Sequence, residues 1–290
     1  MAKGFLRRLA QRSYADHRPE QWQASAIVHG LRDIGARIVF SPDEILISGA
    51  SGVHDSMLVT RRRQPRLSEE RMFRLNAVAA YIFDLPLVAR PDSRPAKGSR
   101  GWTRAYFETL AHTSDACAEL YHQYEHEHWA LPDEMGWFSL SLPSSDPQWR
   151  AMLSYWSALI SPAVPARVIN FYRAIEALLP TRVAQEQLLA SLPTAQIRRV
   201  WGEPWKPDAR RFDRMIVLRR RALRRFNALL ALHGAVAAVR EQLWRHRRGK
   251  AAHADQATAE YDQFGTLIEQ REDSELLHYV ARVALEQNWP

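Results

Sequence analysis

RRFDRMIVLRRRALRRFNALLALHGAVAAVREQLWRHRRGKAAHAD, residues 210–255, is the stretch on which the architecture turns. Met215, Leu218, Ala222 and Phe226 recur three or four residues apart, while Arg219, Arg220 and Arg224 fall off that stripe. This is the spacing of an amphipathic helix, and it predicts one over Arg210–Leu232 and another over Ala235–Arg247. Val236, Val239, Leu243, His246, Lys250 and His253 continue along one stripe of the second. The apolar three should pack against another helix, and the polar three should point the same way, at its rim.

Working outward, the same periodicity extends on both sides. Trp149–Ile160 reads as a helix that stops before Pro162. Val164–Leu179 reads as the next, with Pro165 in its first turn and Val168, Tyr172, Ile175 and Leu179 on one stripe. Residues 183–200 allow a short helical pair around Pro193, and Glu272–Glu286 a last helix. Before residue 148 the pattern changes. ARIVF (36–40), EILISG (44–49) and SMLVTR (56–61) are short β-prone runs broken by Pro, Asp and Gly. Leu67–Phe83 reads as a helix capped by Ser68, residues 90–101 as a loop, Tyr106–His126 as a helix, and 131–147 as strand and turn. The fold expected is α+β overall: a smaller mixed α/β region over 1–147 and an all-α helical bundle over 148–290.

The chain has 290 residues, 46% of them hydrophobic, which is enough for a folded core. Its net charge is +8, yet Lys206–Lys250 alone holds 14 Arg or Lys against 3 Asp or Glu, a local +11. The remainder is therefore −3, and a field this concentrated points to an anionic partner. A single cysteine, Cys117, excludes internal disulfides and cysteine-rich zinc sites. No run approaches 18 apolar residues and no secretory apolar run follows the basic N-terminus, so a cytoplasmic protein without a transmembrane segment is expected.

Within LWRHRRGKAAHAD (243–255), Arg248 and His253 can bind a phosphate and move protons without a metal. An imidazole titrates near neutrality and suits proton transfer; a guanidinium supplies fixed donors to a phosphoryl oxygen as charge develops. Five residues rotate about 140° on an ideal helix. Either Arg248 curls back or Gly249 breaks the helix, and the sequence leaves both open. The plainer reading is a solvated arginine and a histidine packed among alanines. HQYEH (122–126) fits the H-x-x-E-H zinc pattern, but no third ligand has an identifiable context, and a solvated helix end is preferred. No phosphate-binding glycine loop, dinucleotide fingerprint or paired carboxylates stand out, so no cofactor and no metal are expected. The basic amphipathic helix could contact RNA phosphates or lie on an anionic membrane.

RGKAAHAD (248–255) resembles the arginine–four residues–histidine motif of HEPN domains, and NFYRAIEALLP (170–180) resembles their earlier helix. Order and spacing are similar to the methylamine-utilisation J proteins and the Apea-like HEPN group, over roughly residues 148–290. Gly249 departs from the polar residue that often follows the arginine in active members. The resemblance implies a metal-independent endoribonuclease or a non-enzymatic binding or protein-interaction module, with a homodimer enclosing the RNA cleft. It implies Arg248 and His253 as the catalytic pair and Glu176 as the acidic residue orienting one of them, against an ordinary salt bridge as Glu176's alternative role. His246 and Lys250 are auxiliary candidates. Arg219, Arg220, Arg224, Arg245 and Arg247 are the candidate RNA contacts. An accessory role in methylamine metabolism is a further implication.

Overall fold

The computed structural model describes residues 22–29, 37–41, 43–47, 56–61, 67–90, 137–139, 142–196, 206–248 and 267–288. The protein is mostly helical, with a small β-containing N-terminal region and a C-terminal helical bundle. It separates into two compact units, which divide at 142/143, while residues 80–86 belong with the helices and the first four residues of the helix that starts at Lys206 are grouped with the sheet.

In the first unit, β1 (Trp22–His29), β2 (Arg37–Ser41), β3 (Glu44–Ile47), β4 (Ser56–Arg61), β5 (Val88–Arg90) and β6 (Trp137–Ser139) form one sheet in the order β5-β1-β4-β3-β2-β6. Every pairing is antiparallel except β2 with β6. The register aligns Ala26, Leu58, Leu46, Ile38 and Phe138 in one row across five strands. Val28, Leu46, Leu58 and Thr60 are buried, as strand alternation requires of one covered face. The helix α1 (Glu69–Phe83) starts where Ser68 Oγ accepts from the Arg71 amide at 3.1 Å. Arg71 then grips both carboxylate oxygens of Glu44, at 2.8 and 2.6 Å, and so ties α1 to β3.

Three expected strands are present as β2, β3 and β4, and two more, β1 and β5, are additions to that reading. The expected helix at 106–126 and the loop from residue 91 to 101 lie outside the described residues.

The second unit contains α2 (Asp146–Ile160), α3 (Val164–Leu178), α4 (Arg182–Ser191), α5 (Lys206–His233), α6 (Val236–Arg248) and α7 (Leu267–Asn288). Ser145 and Gln148 form a capping box at α2, and Thr181 caps α4. Pro165 occupies the first turn of α3, where it has no amide hydrogen to leave unbonded. Around Pro193 a turn at Leu192–Thr194 follows α4; residues 197–200, part of the expected second helix, lie outside the described residues. Gly234, at φ 76°, ends α5 with its amide on the Leu230 carbonyl at 2.8 Å, a conformation that a side chain would strain.

The α5 stripe read from sequence is the buried one: Met215, Leu218, Ala222 and Phe226, continued by Leu229. On α6, Val239 and Leu243 are buried. Helix α7 differs from both. Leu276, Leu277, Tyr279, Val280, Ala281, Val283, Ala284 and Leu285 are all buried, and so are the charged Asp273, Arg282 and Glu286, so the second half of α7 is buried nearly all round.

Candidate functional site

The arginines of α5 divide into two sets. Arg221 pairs with Glu275 at 3.0 Å, and Arg225 with Asp273 at 2.7 Å and Glu272 at 3.4 Å, all three carboxylates on α7. Arg214 donates to the Phe83 carbonyl and Arg219 to the Pro193 carbonyl, each at 2.8 Å. These four arginines stabilise the unit itself. Arg220 and Arg224 are exposed and have no ion-pair partner among the described residues. Of the three α5 arginines singled out for RNA, two therefore face solvent and Arg219 is tied inward. The apolar stripe that a membrane-bound helix would insert lies in the core instead. No helix among the described residues is long and apolar enough to cross a membrane.

Arg245, His246, Arg247 and Arg248 occupy the last turn of α6. Lys250 and His253 lie outside the described residues, as do His122, Glu125 and His126. Glu176 is half-buried on α3. Tyr172 meets Trp244 edge-on with ring centroids 4.2 Å apart. Further along α3 the Leu179 carbonyl accepts from Gln185 at 2.7 Å, and Gln185 accepts from Arg240 at 2.9 Å. As α3 advances from Tyr172 to Leu179, its partner α6 runs back from Trp244 to Arg240, so the two pass in opposite directions. Glu176 sits one turn from Tyr172 on the Arg240 side, and Arg248 one turn from Trp244 on the other. At ~1.5 Å per residue their backbones are offset by about 12 Å along the axes.

A second polar constellation was not visible in the sequence. It surrounds the end of α1, in the segment that belongs to the helical unit. Asp84 takes a left-handed conformation, φ 51°, its amide on the Tyr81 carbonyl and the Leu85 amide on the Ala80 carbonyl. This is a Schellman turn with aspartate where glycine is usual. The carboxylate accounts for the exception. Asp84 Oδ1 accepts from Tyr155 at 2.5 Å and lies 2.9 Å from His278 Nε2, which is 2.8 Å from the Tyr155 oxygen. His278 stacks on Phe171, centroids 4.7 Å apart. One turn along α7, Arg282 donates to Glu286 at 2.8 Å and to the Tyr81 carbonyl, with its guanidinium 3.8 Å from the centre of the Tyr81 ring. Burial pushes the Asp84 carboxyl up, but the charge and hydrogen bond of His278, with Arg282 and Tyr155, outweigh it and hold the group well below the usual carboxylate range. Burial and the Asp84 charge push the Tyr155 hydroxyl well above its ordinary value.

The local spacings give no hint of this set, because Asp84 and His278 are 194 residues apart. The one available signal is the positive-φ aspartate at a helix end, a feature of structure rather than of sequence. No group of three or more His, Cys, Asp or Glu among the described residues could hold a metal ion. No family model, curated protein or solved structure matches the chain.

Proposed function

We propose that the helical unit binds RNA or another phosphate-rich ligand, and that Arg248 and His253 cleave RNA there without a metal. The observation that supports this reading is the way the basic surplus is spent. Arg214, Arg219, Arg221 and Arg225 bind within the unit, yet Arg220 and Arg224 remain exposed on α5 and Arg245, Arg247 and Arg248 close α6. Exposed guanidinium groups such as those of Arg220 and Arg224 neutralise phosphates and release counterions.

In the cleavage reaction the 2′-hydroxyl oxygen attacks the adjacent phosphorus and the 5′-oxygen leaves, giving a 2′,3′-cyclic phosphate and a 5′-hydroxyl. His253 moves the protons, Arg248 stabilises the charge that grows on the phosphoryl oxygens, and His246 and Lys250 assist electrostatically. Glu176 is a positioning candidate, with an ordinary salt bridge as its alternative role. A homodimer would bring two such motifs to one cleft; light scattering at micromolar concentration tests it, and a persistent 33.4 kDa species counts against it.

A second reading, a non-enzymatic accessory or protein-interaction module with a link to methylamine utilisation, has its own support. The ion pairs from α5 to α7 show that part of the arginine content is architectural. Cleavage assays separate the two. The ribonuclease should run in EDTA, and His253→Ala should abolish cleavage while keeping most RNA affinity. Cleavage lost with chelator, or unchanged in His253→Ala, would sink the mechanism; no turnover across varied RNAs would favour the module.

A further inference from the structure

We propose that residues 106–126 form an amphipathic helix that covers the second face of the N-terminal sheet. Strand directions lead to it. Strands β4 and β5 both pair antiparallel with β1, so they are parallel to each other. Strand β2 is parallel to β4, because β3 pairs antiparallel with both, and β6 is parallel to β2. The chain thus makes two parallel crossovers in one sheet, β4 to β5 through α1 and β5 to β6 through residues 91–136.

Handedness decides which face each crossover takes. Parallel crossovers within a sheet are almost always right-handed, because only that hand lets a twisted strand and its connection pack back onto the sheet. In the order β5-β1-β4-β3-β2-β6, the first crossover steps toward the β5 edge and the second runs from that edge to the opposite one. Two crossovers of one hand that travel in opposite directions pass over opposite faces. Helix α1 holds the face of Glu44, Leu46 and Leu58, to which the Arg71–Glu44 pair ties it. The second crossover therefore takes the other face.

Composition and length agree with this route. Alternation along the strands places Ile27, Met57 and Ile47 in one row of that face, and Val59, Ile45 and Val39 in the next. A sheet with one solvated face alternates apolar with polar residues, whereas here both sets are apolar. At a spacing of ~4.8 Å the six strands make a sheet about 24 Å wide. At ~1.5 Å per residue a helix over 106–126 is about 31 Å long, enough to cross it. On helical spacing Tyr106, Leu110, Cys117, Leu120, Tyr121 and Tyr124 share one side, and Glu108, His112, Asp115, Glu119, His122 and His126 the opposite one. The first side meets the sheet and the second meets water.

The chain's single cysteine tests this in the full protein. Cys117 lies on the apolar side, and thiol attack needs a thiolate open to solvent. Its reaction with a chromogenic disulfide reagent should be about tenfold or more slower in the native protein than in urea. In a Cys117→Ala background, a thiol placed on the polar side by Asp115→Cys should react close to the unfolded rate. With Cys117 kept, Val59→Cys should be joined to it within one chain by a short bismaleimide. Glu70→Cys, at the exposed start of α1, should not. A wild-type Cys117 as reactive as in the unfolded chain overturns the proposal, even if no variant folds. So do equal rates at positions 115 and 117, or a crosslink to Glu70→Cys with none to Val59→Cys.

Discussion

The end of α1 and the end of α6 are both polar, both in the helical unit, and built on opposite principles. At the end of α6, four of the polar residues are consecutive, Arg245 to Arg248, and their chemistry follows from local spacing. At the end of α1, the partners come from α1, α2 and α7 and nearly all are buried. The first pattern is a run of like charges along one stretch of chain. The second uses every charge internally. A concentration of charge in a sequence thus says little until the paired groups are subtracted from it, as Arg221 and Arg225 illustrate on α5.

Substitutions should expose the contrast most sharply in stability. Asp84→Ala removes one partner of a buried set and leaves Tyr155 and His278 uncompensated. It should cost about 3–5 kcal/mol, read as a lower midpoint in thermal or urea unfolding. Arg225→Ala strips the buried Asp273 of its charged hydrogen bond and should cost about 1.5–3 kcal/mol in the same assay. Ser145→Ala, at the exposed capping box of α2, should cost about 1 kcal/mol.

Acid offers another way to break the comparison. The folded Asp84 carboxyl is depressed, so its contribution is fully present above its unfolded value, about 3.9. That contribution is lost as pH falls through the depressed folded value. Asp84→Asn should flatten the acid limb of the stability curve, and a limb identical to wild type would remove Asp84 from the account. The smallest stability effect belongs to the exposed face. Arg220→Glu with Arg224→Glu should shift stability by no more than about 0.5 kcal/mol, yet lower RNA affinity across sequences and reduce the salt slope by about 1 per lost phosphate contact. An unchanged slope would place the binding surface elsewhere.

Legibility in the sequence followed the range of the interaction. The stripes of α3, α5 and α6 were readable because a helix repeats its buried positions within a few residues; their described positions are buried except Leu179 and Val236, which are half-buried. The Ser68 cap and the strands β2 to β4 were readable for the same local reason. Strand β1 was not: in WQASAIVH the residues that follow the first tryptophan, QASA, are small or polar, and its place between β5 and β4 comes from pairing far along the chain. Strand β5 is three residues long, too short for alternation to register. The polar residues divide likewise. Arg248 and His253 are candidates drawn from their spacing, and His253 lies outside the described residues, while Asp84, Tyr155, His278 and Arg282 have no shared period. Glu176 shows the intermediate case: its helix was read correctly, but the opposed directions of α3 and α6 decide what lies near it.

The 194 residues between Asp84 and His278 also have a temporal meaning. At synthesis rates of about 5–20 residues per second, the carboxylate leaves the ribosome's catalytic centre roughly 10–40 s before its imidazole is made. Throughout that interval the turn at the end of α1 must manage with local hydrogen bonds and water. An aspartate in a left-handed turn tolerates such a wait better than a bulky apolar residue would, because its carboxylate stays hydrated until α7 arrives. The same side chain thus serves a nascent chain as a soluble turn and a finished one as a buried anchor.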